Sequence, residues 1–80
     1  MIVRGVVPDN YDIGNISSTG LISNSIYELT GAYTYVGLPT GVTWGVLEII
    51  CASSFIVERI TTANKVYTRV YSNSAWGTWF

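Results

Sequence analysis

Five acids, one cysteine and no histidine bound the chemistry open to this 80-residue chain. Glycoside hydrolysis needs two carboxyl groups roughly 5–9.5 Å apart in one cleft, which makes Glu48 and Glu58 the pair to place first. Asp9 and Asp12, in "DNYDIG", are the pair nearest to a calcium loop. They lack the acid at every second position that such a loop uses, and an ordinary solvated turn fits them better. Cys51 has no imidazole anywhere in the chain to activate it as a nucleophile; its position in an apolar run reads as a small buried hydrophobe. The eight glycines form no phosphate-binding fingerprint. The sequence calls for no metal and no cofactor.

Whether the two glutamates meet depends on the strands that carry them. Val, Ile, Thr and Tyr dominate, and no long stretch repeats apolar residues at helical spacing. "SNSIYELTG" (Ser23 to Gly31) is the best helical candidate, and its length allows a single turn. Strands are expected at "IVRGVV" (Ile2 to Val7) and "AYTYVG" (Ala32 to Gly37), with a loop from Pro8 to about Ser25 between them. Three runs then follow closely: Gly45 to Ala52, Phe55 to Thr62 and Lys65 to Ser72. Two-residue links, Ser53-Ser54 and Ala63-Asn64, join them as hairpins. The expectation is a mainly β fold, a small antiparallel meander with at most one short helical turn.

Counting outward from the two links sets the register. Ile60 faces Tyr67 and Glu58 faces Arg69 in the second hairpin; Ile50 faces Val57 and Glu48 faces Arg59 in the first. Each carboxylate lands opposite an arginine, a pairing worth roughly 0.2–1 kcal/mol across strands, and a slip of one residue would break both. The same count puts Glu48 and Glu58 on opposite faces, which defeats a shared catalytic centre. One face carries Leu47, Ile49, Cys51, Ile56, Ile60, Tyr67 and Tyr71; the other carries Val46, Ile50, Phe55, Val57, Val66 and Val70. Neither is polar, whereas an antiparallel sheet in a small monomer usually wets one side. The N-terminal half is expected to cover one face and another subunit the other.

Composition agrees with that expectation. The chain is 49% hydrophobic and 11% charged, against about 25% charged in a typical globular protein. A single domain this small gains stability from disulfides, metals or association; with one cysteine and no histidine, association remains. The basic residues Arg4, Arg59, Lys65 and Arg69 are scattered over a chain of net charge -1, which is no footprint for nucleic acid. "MIVRGVV" lacks the apolar core and cleavage site of a secretory signal, and no apolar run approaches the ~20 residues a membrane helix needs. These features point to a soluble chain made in a reducing cytoplasm, without membrane insertion.

Aromatic residues are the remaining candidates. Trp76 and Trp79 close the sequence and are expected to pack on the sheet that ends at Tyr71, with a sugar-binding platform as the alternative. Trp44, between a Leu-Pro turn and a strand, fits packing and ligand contact equally. Tyr33 and Tyr35 alternate onto one face of their strand and are expected to pack. Tyr11, in the least regular part of the chain, and Asn73, in the segment leading to Trp76, are candidate ligand contacts on the ground that loops carry binding residues more often than strands.

The order of these motifs resembles the pyocin-knob type of module in tail fibres of phages and of phage-tail-like bacteriocins. Gly31-Ala32-Tyr33 is similar to the module's Gly-x-Tyr strand start, and Leu38-Pro39 to its Leu-Pro or Ala-Pro step. "GVLEII" resembles its Gly-x-Leu-x-Val strand, and "VYTRVYSNSAWGTW" its Tyr-x-Arg segment with a Trp-x-x-Trp end. The likeness spans about Ile16 to Trp79. This chain has Glu58 where members often carry Gln, and Phe80 where polar residues often continue. The resemblance implies a non-enzymatic, homotrimeric fibre component that helps present receptor-binding parts on the virion tail. It also implies contacts with other tail or fibre proteins and with a bacterial surface glycan. In this reading Glu48, Arg59, Glu58, Arg69, Tyr33, Trp76 and Trp79 are structural, residues 1–14 form an N-terminal strand and loop linking to upstream fibre or partner, and residues 15–80 form the knob-like β domain.

Overall fold

Strand formers account for the whole architecture. The computed structural model describes residues 1–80 and contains eight strands: β1 (Ile2–Val6), β2 (Tyr11–Asp12), β3 (Ser25–Leu29), β4 (Tyr35–Val36), β5 (Gly45–Cys51), β6 (Ile56–Thr61), β7 (Val66–Ser72) and β8 (Ala75–Trp76). Six of them make one sheet in the order β1-β3-β5-β6-β7-β8, and β2 and β4 make a separate two-stranded ribbon. With no helix at all, there is none long and apolar enough to cross a membrane.

The central meander has the register that counting from the links gives. Glu48 pairs with Arg59 and Ile50 with Val57 between β5 and β6; Glu58 pairs with Arg69 and Ile60 with Tyr67 between β6 and β7. Both links close as two-residue hairpins, with the Ala52 amide donating to the Phe55 carbonyl and the Thr62 amide to the Lys65 carbonyl, each at 2.9 Å.

Four expectations need correction. The segment expected to form a helical turn is strand β3, paired antiparallel with β5. Its inward residues Ser25, Tyr27 and Leu29 are buried while Glu28 is exposed, so the period is two, and burial on the sheet outweighs the capping signal. The sheet is mixed, because β1 runs parallel to β3 with a register shift between Val3 and Gly5. The expected Pro8–Ser25 loop contains β2, which pairs in parallel with β4. Finally, only Tyr35–Val36 of the run from Ala32 to Gly37 is strand; a turn precedes it, with the Tyr33 amide donating to the Thr30 carbonyl at 3.2 Å.

Just 14 of the 80 residues are buried, so each core contact carries a large share of the stability. The core comprises Val7, Ile13, Leu21, Tyr27, Leu29, Tyr35, Leu47, Ile49 and Ile60. Val7, Ile13 and Leu21, with the β2–β4 ribbon, thus lie over the Leu47–Ile49–Ile60 face, which we call the inner face. The outer face stays open: Val46, Phe55 and Val66 are 44%, 51% and 48% exposed. Cys51 is half-buried rather than enclosed, and its amide donates to Asn24 Oδ1 at 3.0 Å.

Gly45 shows how tightly β5 and β6 approach. A Cβ there would sit 2.7 Å from the Thr61 carbonyl oxygen and 3.0 Å from Ile60 Cγ2. Gly45→Ala is therefore expected to cost about 2 kcal/mol through overpacking, read as a lower urea midpoint. An unchanged midpoint would mean that the strands separate more readily than this packing implies.

Candidate functional site

The best-constructed constellation of polar groups lies on the inner face beside the C-terminal tail. Alternation along β6 and β7 turns Glu58 and Arg69 inward at the same register position. Glu58 is fully buried and Arg69 is 7% exposed. Arg69 Nε donates to Glu58 Oε1 at 2.8 Å, and Nη2 lies 2.7 Å from the same oxygen without the alignment of a hydrogen bond. Glu58 Oε2 is left with no partner. Burial raises the Glu58 carboxyl, the Arg69 charge and hydrogen bond offset part of that rise and the Asp12 charge adds to it, leaving it at about 7.

The tail places two indoles against the arginine. Asn73 and Ser74 have φ of 51° and 64°, the positive values that both central residues of a type I′ hairpin require. This turn sends β8 back along β7, with Trp76 opposite Tyr71 and their rings edge-to-face at 5.3 Å. The pairing continues to the last residue, since Thr68 and Phe80 exchange backbone hydrogen bonds of 2.8 Å. The Arg69 guanidinium carbon then lies 4.2 Å from the Trp76 ring centre and 4.6 Å from that of Trp79. Each such cation–ring contact is worth about 0.5–2 kcal/mol.

The same indoles fasten the tail to the N-terminal half. Trp79 Nε1 donates to the Gly37 carbonyl at 2.8 Å and Trp76 Nε1 to the Gly14 carbonyl at 3.4 Å. A Cβ on Gly14 would stand 2.7 Å from Trp76 Nε1, so glycine allows that approach. Trp76 and Trp79, both half-buried, pack over a charged pair instead of an apolar patch.

The remaining acids hold backbone in place. Asp9 Oδ1 accepts from the amides of Asn10 at 3.0 Å and Thr34 at 2.8 Å, tying the loop after β1 to β4. Asp12 Oδ1 accepts from the Gly14 amide at 2.8 Å. No group of three potential metal ligands occurs. Glu48 and Arg59 form an exposed two-point pair at 3.2 and 3.3 Å on the outer face, and Glu48 and Glu58 sit on opposite faces of the sheet. Tyr35 packs in the core, its hydroxyl donating to the Val7 carbonyl at 2.8 Å, and burial raises that phenol above its ordinary range. Tyr33 meets it edge-to-face at 6.5 Å but is 44% exposed.

The three candidate ligand contacts are dispersed. Trp44 is 51% exposed and rims a groove of about 360 Å³ with Val3, Ile26, Glu28 and Val46. Tyr11, in β2, accepts a hydrogen bond from the Asn15 side chain at 3.2 Å. Asn73 occupies the type I′ turn. No concavity of the molecule holds more than one of the three. Reading the sequence alone missed β8, the Trp–Arg contacts and the anchoring carbonyls of Gly14 and Gly37. "SNSA" ahead of an aromatic was the one local signal for the turn. No protein-family model matches the sequence, and comparison with curated proteins and with solved structures likewise gives no match.

Proposed function

We propose that the chain is a non-enzymatic, knob-type module of a phage tail fibre, homotrimeric, which helps present or position host-receptor-binding parts on the virion tail. The observation that carries this reading is the outer face of the sheet. Val46, Phe55 and Val66 stand about half exposed there, with Ile50, Val57 and Val70 half-buried among them. The only ion pair on that face, Glu48–Arg59, is internally neutralised. These residues form two apolar groups, Val46 with Val66 and Ile50, Val57 and Val70 with Phe55, on either side of the Glu48–Arg59 pair. Exposed apolar surface of this kind suits an interaction site, and packing against two further copies would cover it in a rigid module. Three equivalent modules then add weak surface contacts through avidity.

The motif order from Gly31 to Trp79 supports the fibre context, together with its expected partners, other tail or fibre proteins and a bacterial surface glycan. The reading assigns the carboxylates structural work: Glu48 and Glu58 are held by arginines on opposite faces. It places the finished protein in the virion after synthesis in the host cytoplasm. Gold-labelled antibody against the chain, applied to intact virions under the electron microscope, is expected to decorate the tail fibres. Label confined to the capsid would replace the reading with a decoration protein.

A small glycan-binding domain is the second reading, favoured by Trp44 alone. An exposed indole on a groove rim, beside the exposed carboxylate Glu28, suits an apolar sugar face with a hydroxyl to bond. Glycan-array binding that disappears in Trp44→Ala, with the melt unchanged, is the result this reading expects; retained binding removes Trp44 from it.

A further inference from the structure

Asp12 and Arg69 border one opening on the inner face, and Glu58 pairs with Arg69 beside it. The position that a Cβ on Gly37 would take lies 3.5 Å from Arg69 Nη2 and 3.5 Å from Asp12 Oδ1. Gly37 has φ +94°, a conformation that favours glycine, and its missing side chain leaves the space between the guanidinium and the second carboxylate open. Arg69 therefore has a second carboxylate across that space: Glu58, buried on β6, is its ion-pair partner, and Asp12, exposed on β2, faces the same opening without pairing with it. Its hold on the buried one is incomplete, because Nε and Nη2 crowd a single oxygen while Glu58 Oε2 has no partner.

We propose that Arg69 is a proton-controlled latch shared between Glu58 and Asp12: when Glu58 takes up a proton, the guanidinium shifts toward Asp12 while remaining against Trp76 and Trp79. The charged groups bearing on Glu58 are Arg69 from β7 and Asp12 from β2; β5 presents the apolar Ile49 at its register. A neutral Glu58 removes a buried charge that is only half satisfied, since Oε2 has no partner, and leaves the arginine with a solvated counterion, so proton uptake costs the fold little. The carboxyl, raised to about 7 in the fold from an ordinary 4.5, binds its proton more tightly folded than unfolded. The resulting stabilisation is complete below about pH 4.5 and is lost as pH rises through about 7. Each pH unit in that window changes the folding equilibrium by up to about tenfold.

The test is a pH series from 5 to 8 on the full chain in a Trp44→Phe background, so that emission reports Trp76 and Trp79. Emission and thermal midpoint are expected to change together with a midpoint near pH 7. Glu58→Gln should hold the pH 5 signal across the series, and Asp12→Asn should shrink the emission change. The Glu58 side-chain carboxyl carbon, followed by NMR in the unmutated chain, gives a readout independent of any variant's folding. Titration near 4, or an emission change that persists in Glu58→Gln, would overturn the latch. A full-size emission change in Asp12→Asn would overturn the role of Asp12.

Discussion

Charge reversal at Arg69 (Arg69→Glu) is expected to leave the chain unfolded at 25 °C. The substitution puts two carboxylates at one register position, one of them fully buried, beside the charge of Asp12. Breaking a buried pair by removing one partner costs about 3–5 kcal/mol, and reversal adds repulsion to that loss. An 80-residue domain has roughly 4–12 kcal/mol to lose, at ~0.05–0.15 kcal/mol per residue. The swapped chain, Glu58→Arg with Arg69→Glu, restores opposite charges but moves the cation to β6, away from the indoles at 4.2 and 4.6 Å. Partial recovery of a cooperative melt is therefore expected. A double-mutant cycle with no recovery would remove the Glu58–Arg69 pairing from the account.

Trp76→Ala is expected to abolish or nearly abolish cooperative melting. The indole contacts Arg69, meets Tyr71 edge-to-face at 5.3 Å, and donates to the Gly14 carbonyl. Its removal frees β8, uncovers the buried pair and leaves the tail with Trp79 as its one indole anchor. Truncation of a core aromatic costs about 3–5 kcal/mol, which is most of the stability available to so small a core. Trp44→Ala makes the control. Half exposed and hydrogen-bonded to nothing, it should shift the melt by about 1 kcal/mol or less. If the two variants melt alike, the tail does not close the fold.

What could be read from the residues depended on how local the determinants were. The β5–β6–β7 meander was legible because two short links fix its register, and two Glu–Arg pairs then coincide with it. The inner and outer faces followed by alternation. β3 was hidden behind "SNSIYELTG", where Asn24 and Gly31 mimic helix ends; its strand character comes from pairing with β5, more than 15 residues away in sequence. The parallel β1–β3 and β2–β4 pairings are likewise non-local. Arg69 and Glu58 were readable as partners, but not as a pair roofed by Trp76 and Trp79. That arrangement rests on positive φ at Asn73 and Ser74 and on backbone carbonyls at Gly14 and Gly37, which no side-chain pattern announces.

The claim on which the proposed function turns is that other copies of the chain cover the outer face. Sedimentation equilibrium at tens of micromolar tests it most directly. The expected mass is three times the 8.8 kDa of one chain, falling to a single chain in Val66→Glu, a substitution on the exposed outer face that should leave the melt cooperative. A stable monomer that stays monodisperse with that face in water would contradict it.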